Sequence, residues 1–479
     1  MTTTVTPDAR ANAGRALAWS LLNTAVAKFG TVAIGIALAR MLGPEEFGTF
    51  AVATVALLAV LSFNELGVSL AIVRWEGDPA DMAPTVTTIS TVMSLVLGVM
   101  MVAAAPAFTA AMGAPEATLP VQLLSLSVLI NGVVATPVAL MQRAFRQDQR
   151  MIADQVNVWL GAAVSLAMAV MGFGAMSLVV GSLVGGIVSG VLFLRFSPHP
   201  LRFGYDHVLA RRLLAFGLPL AGASIIVFLV SFIDQLVVGR MLGPEQLGYY
   251  VLAVNLASWP LTLFSKPLRS VAPALFSRMQ HDPEAMSSSF GRVLRPVAAV
   301  GFPLCALIAV AAPQIVAFLY GEAWNGVGEV LRWLAVLAAA RLFFELSYDY
   351  LVVRGRSRAL LRIQVVWLLC LAPAVWLGVR GGGTEGAALA LLLTSVCVSF
   401  PMYVLELRRV GVGSRGVATA VSAPVLGSVL VMVVVLAVLH QGSSGIVPLM
   451  VSGMVAVLAA AVQMWWIRGD LSVFRTGAA

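Results

Sequence analysis

The stretch Arg40-Met-Leu-Gly-Pro-Glu45 recurs without a change as Arg240-Met-Leu-Gly-Pro-Glu245, and Gly48 returns as Gly248. Each copy sits between two long apolar runs. Glycine followed by proline and glutamate is the chemistry of one helix ending and another starting: glycine takes the left-handed conformation past the last turn, and proline opens the next helix. The offset of 200 residues therefore marks a duplicated segment in which one helix arrives at the motif and another leaves it. Six apolar runs separate the copies. An even number restores the orientation, so the repeat is parallel, with its two halves related by an axis along the membrane normal.

The rest of the chain repeats this pattern of long apolar runs. Of 479 residues, 60 % are hydrophobic and 11 % charged, where a soluble domain carries roughly 25 % charged residues. The runs fall near residues 15–38, 47–70, 84–108, 119–142, 152–171, 174–195, 213–238, 247–268, 291–318, 328–352, 358–379, 385–406, 416–438 and 446–467. Each is long enough to cross a hydrocarbon core of about 30 Å as a helix. The expected fold is an all-α polytopic membrane protein with 14 transmembrane helices, arranged as two parallel six-helix bundles around a central cleft plus a C-terminal helix pair. Its expected parts are an N-terminal bundle over 1–196, a cytoplasmic linker with a short amphipathic helix over 197–212, a C-terminal bundle over 213–409, and spans 13 and 14 with a cytoplasmic tail over 410–479.

The longest polar stretches, 200–212 and 278–292, are connector-sized and leave no room for an attached ATPase, kinase or glycosyltransferase domain. No G-x-x-x-x-G-K-[ST] phosphate loop is present either. The three cysteines, Cys305, Cys370 and Cys397, all fall in apolar runs and read as small buried hydrophobes. The first run, starting near Arg15, is too long for a signal-peptide core and reads as a retained span.

Assigning Lys and Arg to alternating sides puts 24 on one side and 4 on the other, with Lys28 and Arg341 inside spans. By the positive-inside rule the 24-residue side is cytoplasmic, and both termini lie there. The formal net charge of +8 then reflects loop bias and attraction to anionic membrane lipids. Scattered over eight short segments, it forms no element that would read nucleic acid.

Ionisable residues inside spans are costly in lipid and face an interior or a wet cavity by default. Lys28 lies about 20 Å up its helix from Arg15, and Glu65 about 14 Å from the Arg74 edge of the next span, so the two can pair or alternate as partners. Lys28 reads as the group that meets an anionic substrate or a coupling ion; a structural ion pair is the plainer alternative. Asp234, six residues before Arg240, could close an outer gate or pair locally with that arginine. Lys266 and Arg269, with Arg74, could form a cationic entrance for a phosphate, or simply anchor their helices. Arg341, Glu345 and Asp349 share one helix face at i, i+4 and i+8, as an ion-coupling element or a static network. The four histidines lie at loops or span edges, and no Cys/His/Asp/Glu cluster has metal-site spacing, so neither cofactor nor metal is expected. Gly181, Gly185, Gly186 and Gly190 supply two overlapping Gly-x-x-x-Gly pairs for close helix approach.

Four stretches together carry a family resemblance: Arg40-Met-Leu-Gly-Pro-Glu-Glu-Phe-Gly48, Asn64-Glu-Leu-Gly-Val-Ser-Leu-Ala-Ile-Val-Arg74, Pro273-Ala-Leu-Phe-Ser-Arg-Met-Gln-His-Asp282 and Leu319-Tyr-Gly-Glu-Ala-Trp324. With them the chain resembles the polysaccharide exporters, the Wzx-like flippases of the superfamily that also holds the multidrug and toxin extrusion transporters and the lipid II flippase. The resemblance implies no enzyme, but translocation of a polyprenyl-diphosphate-linked oligosaccharide across a bacterial plasma membrane by alternating access. It implies that spans 1, 2, 7 and 8 line the cavity, which places Lys28, Glu65, Asp234 and Lys266 on lining helices. The expected partners are that lipid-linked cargo, anionic lipids and a polymerase or glycosyltransferases of the same pathway, around a monomer. A cation-coupled multidrug exporter on the same fold is the nearest rival. A membrane polymerase fits less well, because the outer loops hold almost no candidate base or nucleophile beyond Glu116 and Glu322.

Overall fold

The computed structural model describes residues 7–64, 72, 79–262, 283–441 and 446–467. Within them the helices are α1 (Pro7–Asn64), α2 (Pro79–Ala111), α3 (Thr118–Arg143), α4 (Gln147–Val170), α5 (Ala175–Phe196) and α6 (His207–Ala257). They continue as α7 (Pro283–Tyr320), α8 (Gly326–Val353), α9 (Ser357–Thr394), α10 (Phe400–Arg409), α11 (Ser414–Gln441) and α12 (Ile446–Trp466). Among the described residues, 10 helices are long and apolar enough to cross a membrane. Their outer faces carry large apolar side chains such as Leu369, Leu426 and Trp466 in exposed positions, as expected of a surface whose solvent is lipid.

The repeated motif acts as expected. α1 leaves helical geometry at Gly43 (φ 74°, ψ 175°) and α6 does so at Gly243 (φ 82°, ψ −177°). These left-handed angles suit glycine and would strain any side chain. A distance argument shows what the second break does. Tyr250 and Asp234 are 16 residues apart and would stand about 24 Å apart along an unbroken helix, yet the Tyr250 hydroxyl donates a 2.9 Å hydrogen bond to Asp234. The chain therefore doubles back at Gly243, and the matching angles at Gly43 give the same reversal. α9 has a third break at Gly382 and Gly383. There Gly378 and Gly386 approach so closely that a Cβ on either would run into the other's carbonyl oxygen.

Duplication extends beyond the motif. The turn after α3 and the turn after α8 share one hydrogen-bond pattern, shifted by 210 positions. Ala144 N–H donates to Leu140 and Arg146 N–H to Met141; Arg354 N–H donates to Tyr350 and Arg356 N–H to Leu351. Phe145 (φ 55°) and Gly355 (φ 68°) occupy the left-handed position of this helix cap. Single turns of 3₁₀-helix, Pro115–Ala117 and Glu322–Trp324, precede α3 and α8 alike.

Between α9 and α10 the helix widens into a π-turn over Ser395–Ser399, with the Phe400 N–H bonded to the Ser395 carbonyl. Pro401 explains the widening. It has no N–H for the carbonyl of residue 397, and its ring would crowd that turn.

The chain forms two compact units. One comprises Met1–Phe50, Phe63–Ala105 and Leu119–Ala221; the other comprises Ala51–Ser62, Pro106–Thr118 and Gly222–Ala479. In the first, Gly181 and Gly185 of α5 press on the backbone of α4 at Gly161 and Asn157, so this Gly-x-x-x-Gly pair makes the close contact while Gly186 faces open space. Glu46 caps α5 by accepting the Ala175 N–H at 2.6 Å. Thr88 of α2 holds the connector ahead of α6 through the Gly204 backbone, donating to its carbonyl at 2.8 Å. Asp206 then accepts the Val208 and Leu209 N–H groups, which starts α6 at His207. In the second unit, Met286, Phe290, Phe343, Tyr350, Ile363 and Leu407 form one core joining α7, α8, α9 and α10.

One expectation is corrected here. Cys305 is buried, but Cys370 and Cys397 are exposed on their helices. In a bilayer an apolar side chain gains nothing by turning inward, because the lipid is as apolar as the core.

Candidate functional site

Length and apolar residues on every side make α6 and α8 helices fit for a membrane, but their polar residues decide how they meet. Asp234 is only 5 % exposed and Tyr250 fully buried. The Tyr250 hydroxyl donates to Asp234 Oδ2 at 2.9 Å, and the Gln235 N–H donates to Asp234 Oδ1 at 2.9 Å. From the Gly243 break Asp234 is nine residues back and Tyr250 seven forward, so the reversal brings them to similar depth, about 14 and 11 Å from the turn. Arg341 of α8 lies near enough for its guanidinium to act electrostatically on both. One carboxylate and one phenol thus bind the two arms of α6 together deep in the second unit, with the Arg341 guanidinium of α8 acting on both electrostatically. A buried carboxylate is tolerable only with such partners.

This arrangement joins residues that periodicity had kept apart. Asp234's oxygens go to Tyr250 and its own backbone neighbour, while Arg240 stands exposed. Arg341 acts on Asp234 and Tyr250 of α6. Glu345 and Asp349 are half-buried and engaged; Asp349 acts electrostatically on the buried Tyr403 of α10, whose ring stacks on Phe344 at 5.5 Å. Tyr250 was not a sequence candidate. The available signal was the 200-residue offset, which puts Ile34 and Phe50 where the second copy has Asp234 and Tyr250. Two apolar residues of one copy answer a hydrogen-bonded pair in the other.

The other candidates are placed less fully. Glu65, Arg74, Lys266 and Arg269 lie outside the described residues, and Lys28 falls on the helical backbone of α1 with its side chain outside them.

At the far ends of α9 and α10, Glu406 is a further missed residue. Its carboxylate side chain is 4 % exposed and accepts from Arg356 at 3.0 Å, from Arg409 at 2.7 Å and from Arg362. In the first copy Arg146 makes the corresponding contact with a backbone carbonyl, that of Phe196, at 3.2 Å.

The helix order and the reversals define a polytopic transporter fold. The chain resembles the lipid II flippase MurJ in an inward closed conformation with a TM-score of 0.79 at 11 % identity, over 94 % of this chain and 99 % of that one. It also resembles an inward-facing multidrug resistance transporter of the MATE family, in the MOP superfamily, with a TM-score of 0.65 at 16 % identity, over 79 % of this chain and 94 % of that one.

Residues 37–329 match the polysaccharide biosynthesis protein family, and the chain belongs to it. Among curated relatives, the succinoglycan biosynthesis transport protein ExoT of Rhizobium meliloti is 27 % identical over 388 residues, 79 % of this chain and 76 % of that protein. The lipopolysaccharide biosynthesis protein WzxC of Escherichia coli is 24 % identical over 395 residues, 82 % of this chain and 80 % of that protein.

Proposed function

We propose that this protein flips a polyprenyl-diphosphate-linked oligosaccharide from the cytoplasmic to the outer leaflet by alternating access, for cell-surface polysaccharide biosynthesis. The observation that carries the reading is the family match over residues 37–329 on a flippase-like fold. The finer architecture is proposed with it: 14 spans in two parallel six-helix bundles plus a final pair. The reversals at Gly43, Gly243 and Gly382–Gly383 support that count, since each turns one continuous helix into two crossing segments. The domain boundaries proposed are 1–196, 197–212, 213–409 and 410–479. Lys28, Glu65, Arg74, Asp234, Lys266 and Arg269 are proposed as residues lining the transport cavity. A strongly anionic diphosphate with many acceptors suits lysine and arginine there. The proposed working form is a monomer in a bacterial plasma membrane, handing its cargo to a polymerase or glycosyltransferases of the pathway.

Both termini and the turn at 354–362 are proposed to be cytoplasmic, with the Gly43 and Gly243 turns outside; the 24 to 4 charge split supports this. Impermeant thiol labelling of intact cells carrying a single cysteine at the exposed positions 45 or 358, beside the two turns and in a background without native cysteines, tests it. Labelling at 45 and protection at 358 is expected, and the reverse overturns the orientation.

The function itself is tested by reconstituting the purified protein in liposomes and measuring translocation of a fluorescent polyprenyl-diphosphate glycan, with pH, sodium and voltage gradients imposed separately. Protein-dependent flipping is expected. Cation-driven export of drugs with no glycan-lipid movement would instead make the chain a multidrug exporter. In the same assay Glu345→Gln and Asp349→Asn are expected to lower flux by the same factor under every gradient, as a static network does. A loss confined to one gradient would assign ion coupling to that carboxylate.

A further inference from the structure

Glu406 and its arginines frame a cavity of about 580 Å³, lined by Gly355, Arg356, Ser357, Arg358, Arg362 and Arg409 together with Ala359. Four of its lining residues are arginines. Glu406, buried behind them, accepts from Arg356, Arg362 and Arg409 but not from Arg358. One carboxylate against four arginines leaves the site with three uncompensated positive charges. The floor is firm, because Leu360, Ile363, Leu407 and Val410 belong to one buried core.

The duplicated first copy provides an internal comparison. The turn register of 210 residues matches Arg146 with Arg356, and the contact Arg146 makes with Phe196 is the contact Arg356 makes with Glu406. In that register Asp148, Ile152 and His199 stand where the second copy has Arg358, Arg362 and Arg409. At these four matched positions one copy thus carries a single arginine and the other carries four. Closing the turn requires only Arg356, as the first copy demonstrates with Arg146. The positive-inside bias asks only for charge on this side; the buried carboxylate that gathers two of the additional three arginines needs a separate explanation.

We propose that this pocket binds a phosphate-bearing anion at the membrane edge, apart from the transport cavity. Guanidinium groups recognise phosphate oxygens through paired N–H donors, and Glu406 holds three of them in a fixed array instead of neutralising the site. The phosphate has two possible sources, the headgroup of an anionic phospholipid or a soluble phosphate compound. Leu361 and Leu405, both exposed on the adjoining helices, give a lipid's acyl chains an apolar surface beside the headgroup.

The test uses the full-length protein purified in neutral detergent, where membrane orientation and transport do not enter, so its failure is distinct from failure of the flippase reading. One arm titrates cardiolipin against phosphatidylcholine by native mass spectrometry; the other titrates inorganic diphosphate by thermal shift. Arg358 is exposed and outside the Glu406 network, so its substitution spares the fold. At roughly fivefold per charge, Arg358→Ala should weaken binding about fivefold and Arg358→Asp about 25-fold. Arg150→Asp, the same charge reversal in the first-copy turn, should leave binding unchanged, because Arg150 is not among the residues that line the pocket. Binding in the cardiolipin arm alone identifies lipid as the source, and binding in the diphosphate arm identifies soluble phosphate. Absence of Arg358-sensitive binding in both arms, or an equal loss in Arg150→Asp, overturns the site.

Discussion

Lys28→Ala is expected to lower export of the lipid-linked glycan about 10- to 150-fold while the protein stays in the membrane at normal amount, the range corresponding to one charge-assisted contact. Lys28 stands about 20 Å along its helix from Arg15, and at the mid-membrane depth proposed for it an ammonium group needs a wet or anionic setting. On that proposal a diphosphate supplies the setting when cargo is bound, and Glu65 supplies it when cargo is absent. Lys28→Arg keeps the charge but changes its shape, so part of the activity should remain. The measurement is surface glycan per unit of membrane-inserted protein. Wild-type export by the alanine variant rejects the substrate role. Equal losses in the alanine and arginine variants would show that the charge itself is not what matters.

Asp234→Ala is expected to have the largest effect on stability. It removes the acceptor of the fully buried Tyr250 hydroxyl and the carboxylate that faces Arg341. Leaving the buried Tyr250 hydroxyl without its charged acceptor costs about 1–3 kcal/mol, the desolvation penalty of an unsatisfied group. That is enough to lower the thermal midpoint of the purified protein and its amount in the membrane. Tyr250→Phe should cost less, about 1 kcal/mol for one hydrogen bond. The first copy suggests how to repair the damage. It carries Ile34 and Phe50 at the matching places, so Asp234→Ile, Tyr250→Phe and Arg341→Met together form an all-apolar replacement that should recover most of the lost midpoint. If the triple variant melts no higher than Asp234→Ala, the three residues do not act as one unit.

The motif at 40–45 and 240–245 was readable because its information is local. A glycine with positive φ followed by proline fixes the backbone whatever surrounds it, so the break and the duplication followed from the letters alone. The apolar runs were equally plain, since a bilayer demands length and composition above all. Side-chain partners were less readable. Asp234 lies six residues from Arg240 in sequence, but the reversal at Gly243 gives it Tyr250, and packing brings Arg341 from a helix about a hundred residues away. Glu406 escaped notice for a related reason. Its position opposite Arg356 depends on the π-turn at Ser395–Ser399, which shifts every later residue around the helix, and only Pro401 hinted at that shift. The cysteines misled because inward burial is a rule of water-soluble cores.

The sharp reversals at Gly43 and Gly243 also bear on how the chain is made. In both, the helix resumes directly after the glycine with no connecting loop, so in the orientation proposed above only a few residues about the Gly-Pro-Glu corner need emerge beyond the far face of the bilayer. Two helices joined so tightly partition from the translocation channel as one hairpin, their backbone groups already satisfied within each helix. The corner also offers neither a protease nor an inserted epitope the slack it needs, since nicking and insertion succeed at exposed, yielding loop tips. A reporter tag placed at either corner would interfere with biogenesis before it could report on topology, and for that reason single-residue labels are the suitable probes of these two turns.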